Sequence, residues 1–143
     1  MVTGYSRFAS AVLIPSRNAE DLYAGWWQLI AGLGAVPRVL VWDGEGAVGR
    51  WRGKRAELTG HCQAFRGVLG SKVIICAPSD PEAKGAVERF HHWVETSFLP
   101  GRTFASPADF NTQLGGLNPS PVVPGYETSR AAPSIRAVYE KRC

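Results

Sequence analysis

Cysteine is scarce and scattered: the chain has three, Cys62, Cys76 and Cys143, an odd number with wide gaps. A disulfide framework is not expected from that pattern, and a reducing cytoplasm is the expected setting. Long apolar runs are missing as well. None approaches the roughly 20 residues that cross a bilayer, so no membrane partner is expected. The opening stretch MVTGYSRFAS lacks the basic-then-apolar pattern of a secretory signal. No segment repeats. His61, Cys62, Cys76, His91 and His92 show no C-x-x-C or H-x3-H spacing for zinc. Nor is there a nucleophile elbow or Ser-His-Asp arrangement for an α/β hydrolase.

What is present describes a globular chain. Apolar residues make up 45% of the 143, with five tryptophans, enough for one domain with a buried core. Sixteen Lys and Arg against twelve Asp and Glu leave a net charge of +4, which leans towards a polyanionic partner, nucleic acid first.

The local patterns predict an alternation of strands and helices. A β-rich run over Phe8 to Ile14 is closed by Pro15, after a GYSR segment that looks like a hairpin turn. Asn18 caps a helix carrying Glu20 and Asp21 in its first turn, with Leu22, Trp26, Ile30 and Leu33 on one face and Gly34 at its end. RVLVW (Arg38 to Trp42) reads as a strand buried on both faces, and KVIIC (Lys72 to Cys76) as another. A second helix is predicted over Arg55 to Leu69. A third runs from Pro81 to Phe98 with Ala83, Val87, Phe90, Val94 and Phe98 as its apolar stripe. Ser106 and Asp109 resemble a capping box for a short helix ending near Leu114. From Gly115 onward, four of the ten prolines and no periodicity predict an irregular, disordered tail over 115–143. The order of elements implies an α/β architecture with parallel strands.

Two carboxylates stand out. Asp43 ends the RVLVW strand, at the sheet edge where α/β folds place their chemistry. Glu88 shares a helix face with Lys84, His91 or His92, and Glu95, away from the apolar stripe. Acids gathered at one edge repel unless cations sit between them, which fits Mg²⁺. The same residues also fit a turn acid beside Gly44 and a solvated helix residue. Near Asp43, GRWRGKRAEL supplies Arg50, Arg52, Lys54 and Arg55 with Trp51 among them. That cluster suits phosphate contacts with a base stacked on the indole, and equally a solvated loop with a half-buried Trp.

Pro81, Lys84, Gly85, Val87, Glu88 and Arg89 form a Pro-x-x-Lys-Gly-x-Val-Glu-Arg pattern. With GYSRFASAVLIP and VPRVLVWDGEGAV, this pattern resembles the integrase core of DDE transposases, most of all the IstA type. The resemblance covers Met1 to Leu114 and implies a partial integrase catalytic core of RNase H-like fold. It makes Asp43 the second acid of the triad and Glu88 the third, with 44 residues between them. Both would ligate Mg²⁺, two ions roughly 3.5–4 Å apart serving phosphodiester cleavage and strand transfer. By spacing alone, Lys84, one turn before Glu88, fits a contact to a DNA phosphate and also an ordinary solvated lysine, and His92, one turn after, fits the edge of the site and also a solvated helix face. The implied partners are transposon-end and target DNA, an ATPase helper and further copies of the transposase.

The pattern also departs from that family. The first acid belongs to a strand well ahead of the GYSR turn, and here only Met1, Val2 and Thr3 precede that turn. The family order 3-2-1-4-5 would then lose its middle, the first strand and most of the second. After FASPADFNTQLG the family's helical continuation is replaced by GLNPSPVVPGYETS, a break of the kind a frameshift produces. The expectation is therefore an N-terminally truncated, C-terminally divergent core that does not cleave DNA. The alternative role is a non-catalytic DNA-binding fragment, or one that sequesters full-length transposase.

Overall fold

In the computed structural model, which describes residues 1–4, 8–76 and 81–115, four α-helices accompany two small two-stranded sheets. The class is mixed α/β. The first helix, α1 (Ala19–Leu33), is bounded by its own side chains. The Asn18 side chain accepts from the Asp21 N–H at 2.8 Å, and Gly34 closes the helix in the left-handed region at φ 70°. Both caps lie where the sequence puts them.

Strand β1 (Val39–Trp42) pairs in parallel with β4 (Lys72–Ile75), Val39 opposite Lys72 and Trp42 opposite Ile75. Leu40 and Trp42 are buried, whereas Val39 and Val41 are only half-buried, so one face of β1 is less covered than a strand buried on both faces. Between β1 and β4 the chain makes an antiparallel hairpin, β2 (Gly49–Arg52) and β3 (Arg55–Leu58), and then α2 (Gly60–Leu69). The predicted helix over Arg55 to Leu69 is therefore corrected. Gly53, at φ 60°, closes a two-residue turn that commits Arg55–Leu58 to a strand. Thr59 then caps α2, its Oγ1 accepting from the Cys62 N–H at 3.2 Å and donating to the Ala47 carbonyl at 2.7 Å.

The strand expected over Phe8 to Ile14 is also corrected. Pairing there is limited to a bridge between Val2 and Ala9, supported by the Thr3 N–H on the Phe8 carbonyl and the Ser10 N–H on the Met1 carbonyl. Further on, Leu13 has its N–H and carbonyl held by the side-chain amide of Asn111, at 2.6 and 3.0 Å, in place of a neighbouring strand. Val12 and Ile14 instead lie against α1 at Gly25, where a Cβ would come within 3.3 Å of Val12 and 2.6 Å of Ile14. The middle of the GYSR turn, 5–7, and the tail from 116 onward lie outside the described residues.

Helix α3 (Pro81–Trp93) runs directly into a π-helical turn, Val94–Phe98, marked by the Leu99 N–H bonding the Val94 carbonyl at 2.9 Å. The predicted stripe holds at Phe90 and Phe98, which are buried, and fails at Val87, which is exposed. Helix α4 (Pro107–Gly115) begins at Ser106, whose Oγ accepts from the Asp109 N–H at 3.1 Å. The reciprocal bond departs from a capping box: the Asp109 carboxylate accepts from the Ala105 N–H, one residue earlier, at 2.9 Å.

Apolar packing falls into two clusters. The larger joins Tyr23 and Ile30 of α1, Leu40 and Trp42 of β1, Val48, Cys62 and Phe65 of α2, and Ile75 of β4. Trp26 stacks on Trp42 at 4.5 Å between ring centroids, and Tyr23 meets Phe65 at 4.8 Å. The second is aromatic: Phe90 on Trp93, Trp93 on Phe98, and Phe98 on Phe104 and Phe110, with the Arg102 guanidinium over Phe98 at 4.9 Å.

Candidate nucleic-acid interface

Because β1 and β4 are parallel and in register, the chain leaves both at the same edge. The Cys76 N–H donates to the Trp42 carbonyl at 2.8 Å, which puts Cys76 beside the start of the Asp43 loop. Asp43 is exposed there, its Oδ1 accepting from the Gly44 N–H at 2.8 Å. The loop that follows is well tied. The Glu45 carbonyl accepts from Val48 and Gly49, the Glu45 carboxylate pairs with Arg17 at 2.8 Å, and the Ala47 carbonyl accepts from the Tyr23 and Thr59 hydroxyls. Asp43 thus projects from an ordered loop, the kind of support a functional carboxylate needs.

Glu88 is the eighth residue of α3, about 10 Å along the helix axis from Pro81. It is exposed, as are Val87, Arg89, His91 and His92. The His92 carbonyl accepts from the Thr96 hydroxyl at 2.7 Å. Lys84 lies on the same helix, one turn before Glu88. Among the described residues, no three His, Cys, Asp or Glu side chains gather as a metal-binding group. Asp43 and Glu88 are two exposed carboxylates from two elements, and two carboxylates do not by themselves make up a two-ion Mg²⁺ site. Tyr23 and Cys62 are not candidates for chemistry. Burial raises both their pKa values, foremost by desolvation, so phenol and thiol stay protonated in the core near neutral pH.

The basic cluster has a defined shape. Cross-strand partners share a face, so Gly49, Trp51, Ala56 and Leu58 form one side of the hairpin and Arg50, Arg52, Arg55 and Glu57 the other. The first side is covered at its Gly49–Leu58 end, where Gly49 is buried and Leu58 half-buried, and open at Trp51 and Ala56. A Cβ on Gly49 would collide with the Glu57 carbonyl oxygen and lie 2.7 Å from the Ile75 side chain, and the Trp51 indole N–H donates to the Cys76 carbonyl at 3.0 Å. Trp51 therefore anchors the hairpin to the end of β4 through its indole N–H, while the residue itself stays 36% exposed. All four outward residues are exposed, as is Lys54 at the turn. Arg52 Nε pairs with Glu57 at 2.9 Å.

Neither Glu57 nor Glu45 emerges from reading the acids alone, since both look like ordinary surface residues. The alternation Arg-Trp-Arg, Gly-Lys, Arg-Ala-Glu-Leu around a glycine turn is the signal that places Glu57 in the arginine face. Among the described residues no helix is long and apolar enough to cross a membrane. A scan against protein-family models and a search of curated proteins both found no match to this chain.

Proposed function

We propose that the chain is catalytic-core sequence of an IstA-type DDE transposase, of RNase H-like fold, whose work is DNA strand transfer in the cytoplasm. The observation that carries the reading is a coincidence of motif and topology. The Pro81–Arg89 pattern lies on the helix that follows β4, and β4 is hydrogen-bonded in parallel to the strand that ends at Asp43. The basic hairpin, pinned beside that same edge at Cys76, supplies the positive surface a phosphodiester substrate needs. In this reading Asp43 and Glu88 are the second and third metal-binding acids, Mg²⁺ is the cation, Lys84 faces DNA, and an ATPase helper and other transposase copies are the protein partners.

These residues do not supply the first acid. No Asp or Glu precedes Glu20 in the 143 residues. Two carboxylates bind Mg²⁺ weakly, so the purified chain is expected to bind DNA without nicking it. A non-catalytic role, docking on DNA or engaging complete transposase, is the second reading, favoured by the exposed arginine face of the hairpin.

Supercoiled-plasmid nicking in Mg²⁺ or Mn²⁺, alone and mixed with a core that carries the first acid but has Asp43→Ala and Glu88→Ala at the matching positions, is the test. No nicking alone and restored nicking in the mixture support the transferase reading. If neither Asp43→Ala nor Glu88→Ala in this chain affects the mixture, the two carboxylates are surface residues and the reading fails.

A further inference from the structure

The outward side of the β2–β3 hairpin breaks a pairing rule. Arg52 stands directly across from Arg55, like charges opposed across the strands, with Arg50 two residues away on the same face. One acid, Glu57, stands opposite Arg50 and bonds diagonally to Arg52. Such a local conflict, kept on an exposed surface that has no packing need for it, marks a face shaped for a partner.

We infer that this face is a docking strip for the phosphate backbone of duplex DNA, and that Glu57 sets its strength by holding Arg52. The choice of DNA over other polyanions rests on the transferase reading; the strip itself rests on the hairpin. Along β2, Arg50 and Arg52 are about 6.7 Å apart, two residues of extended chain, which suits neighbouring phosphates on one strand. Arg55 widens the strip sideways, and Lys54 extends it at the turn. Among the described residues, Arg50, Lys54 and Arg55 enter no ion pair. Glu57 engages only the Nε of Arg52, leaving the terminal guanidinium nitrogens for a phosphate. Both partners of that pair are more than half exposed, with side-chain exposures of 66% and 56%, so a phosphate can compete for the guanidinium without first being buried.

The strip reads no bases. Its one aromatic, Trp51, lies on the opposite side of the hairpin with its N–H committed to Cys76, so nothing on the outward side stacks on a base. Binding is therefore independent of sequence and steep in salt. The Trp51 bond also fixes where DNA lies. The strip is held next to the Trp42–Cys76 edge from which Asp43 projects.

The test is fluorescence anisotropy of the full chain with a labelled 30-base-pair duplex, without divalent metal, across a series of salt concentrations. Arg50→Ala and Arg55→Ala should each flatten the slope of log affinity against log salt by about 0.9, the value of one lost phosphate contact. Glu57→Gln should tighten binding several-fold at low salt, with the gain fading as salt rises. A second duplex of shuffled sequence should bind equally. Unchanged affinity and slope in Arg50→Ala/Arg55→Ala, with its melting curve intact, would overturn the strip. Neutral or weaker binding by Glu57→Gln would overturn the role of Glu57. Preference for single-stranded RNA or for anionic vesicles would overturn the choice of duplex DNA. Strip-dependent binding with no nicking in the mixed assay would leave this inference standing while the transferase reading fell; nicking with no strip dependence would do the reverse.

Discussion

Gly49 sits at the most crowded backbone position of the hairpin. Its missing side chain lets β2 approach both the Glu57 carbonyl and the Ile75 side chain, and no Cβ fits between them. Gly49→Ala must therefore push β2 away from β3 or from β4, an overpacking cost of about 1–3 kcal/mol. Chemical denaturation should show that loss with an unchanged slope. A wild-type midpoint would mean that the strand shifts freely and that the hairpin is not held as described. At the same scale, the Arg52–Arg55 opposition costs on the order of 0.2–1 kcal/mol. The exposed Arg52–Glu57 pair returns no more than about 1 kcal/mol. The arginine face is close to neutral for stability, so its composition is open to selection for binding.

Individual elements differ in how far their residues announce them. Helix α1 is legible because both of its ends are written locally, Asn18 at one and Gly34 at the other. The hairpin is not, because its strands are four residues each and carry Arg, Ala, Glu and Leu, which suit a helix at least as well as an exposed strand. The Gly53 turn decides the matter. The segment 10–14 misleads in the opposite direction. Its β-branched and apolar residues suit a strand, but pairing needs a neighbour, and Asn111, nearly a hundred residues on, takes the backbone groups of Leu13 instead. For the candidate site, Asp43 is visible as a strand-end acid and Glu88 through its motif, while Glu57 becomes visible only once the register is known. Helix α4 carries its own pH dependence. The Ala105 N–H, followed by Gln113, holds the Asp109 carboxyl below its ordinary pKa. A depressed carboxyl stabilises above its unfolded value, near 3.9, and that support is lost as pH falls through the lower folded value. Protection of the Ala105 amide, relative to its intrinsic exchange rate, should thus fall in strongly acidic solution, and Asp109→Ala should lack that protection already at neutral pH. Equal rates in the two proteins at neutral pH would remove the cap from the account.

For the whole molecule, the division into two apolar clusters predicts two levels of stability. The larger cluster draws on α1, β1, α2 and β4, while the aromatic one is built from α3, the π turn and α4. Smaller clusters open at lower free energy. Phe98 is almost fully buried and touches Trp93, Phe104 and Phe110, so Phe98→Ala should cost about 3–5 kcal/mol locally. Native-state hydrogen exchange should then report faster exchange across Phe90–Gln113, with the amides of β1 and β4 unchanged. Uniform acceleration throughout would show instead that the chain unfolds as one unit.

The π turn at Val94–Phe98 acts as a key between two ends of one shaft. It contains one residue more than an α-helical turn, and one residue is about 100° of rotation. Without the surplus residue, Phe98 would swing off Phe104 and Phe110, or the Glu88 end would swing by the same angle if the aromatic end stayed seated. The direction in which Glu88 points is thus indexed from the far end of its helix, and a one-residue insertion or deletion near Thr96 would re-aim the carboxylate without changing any residue of Pro81–Trp93.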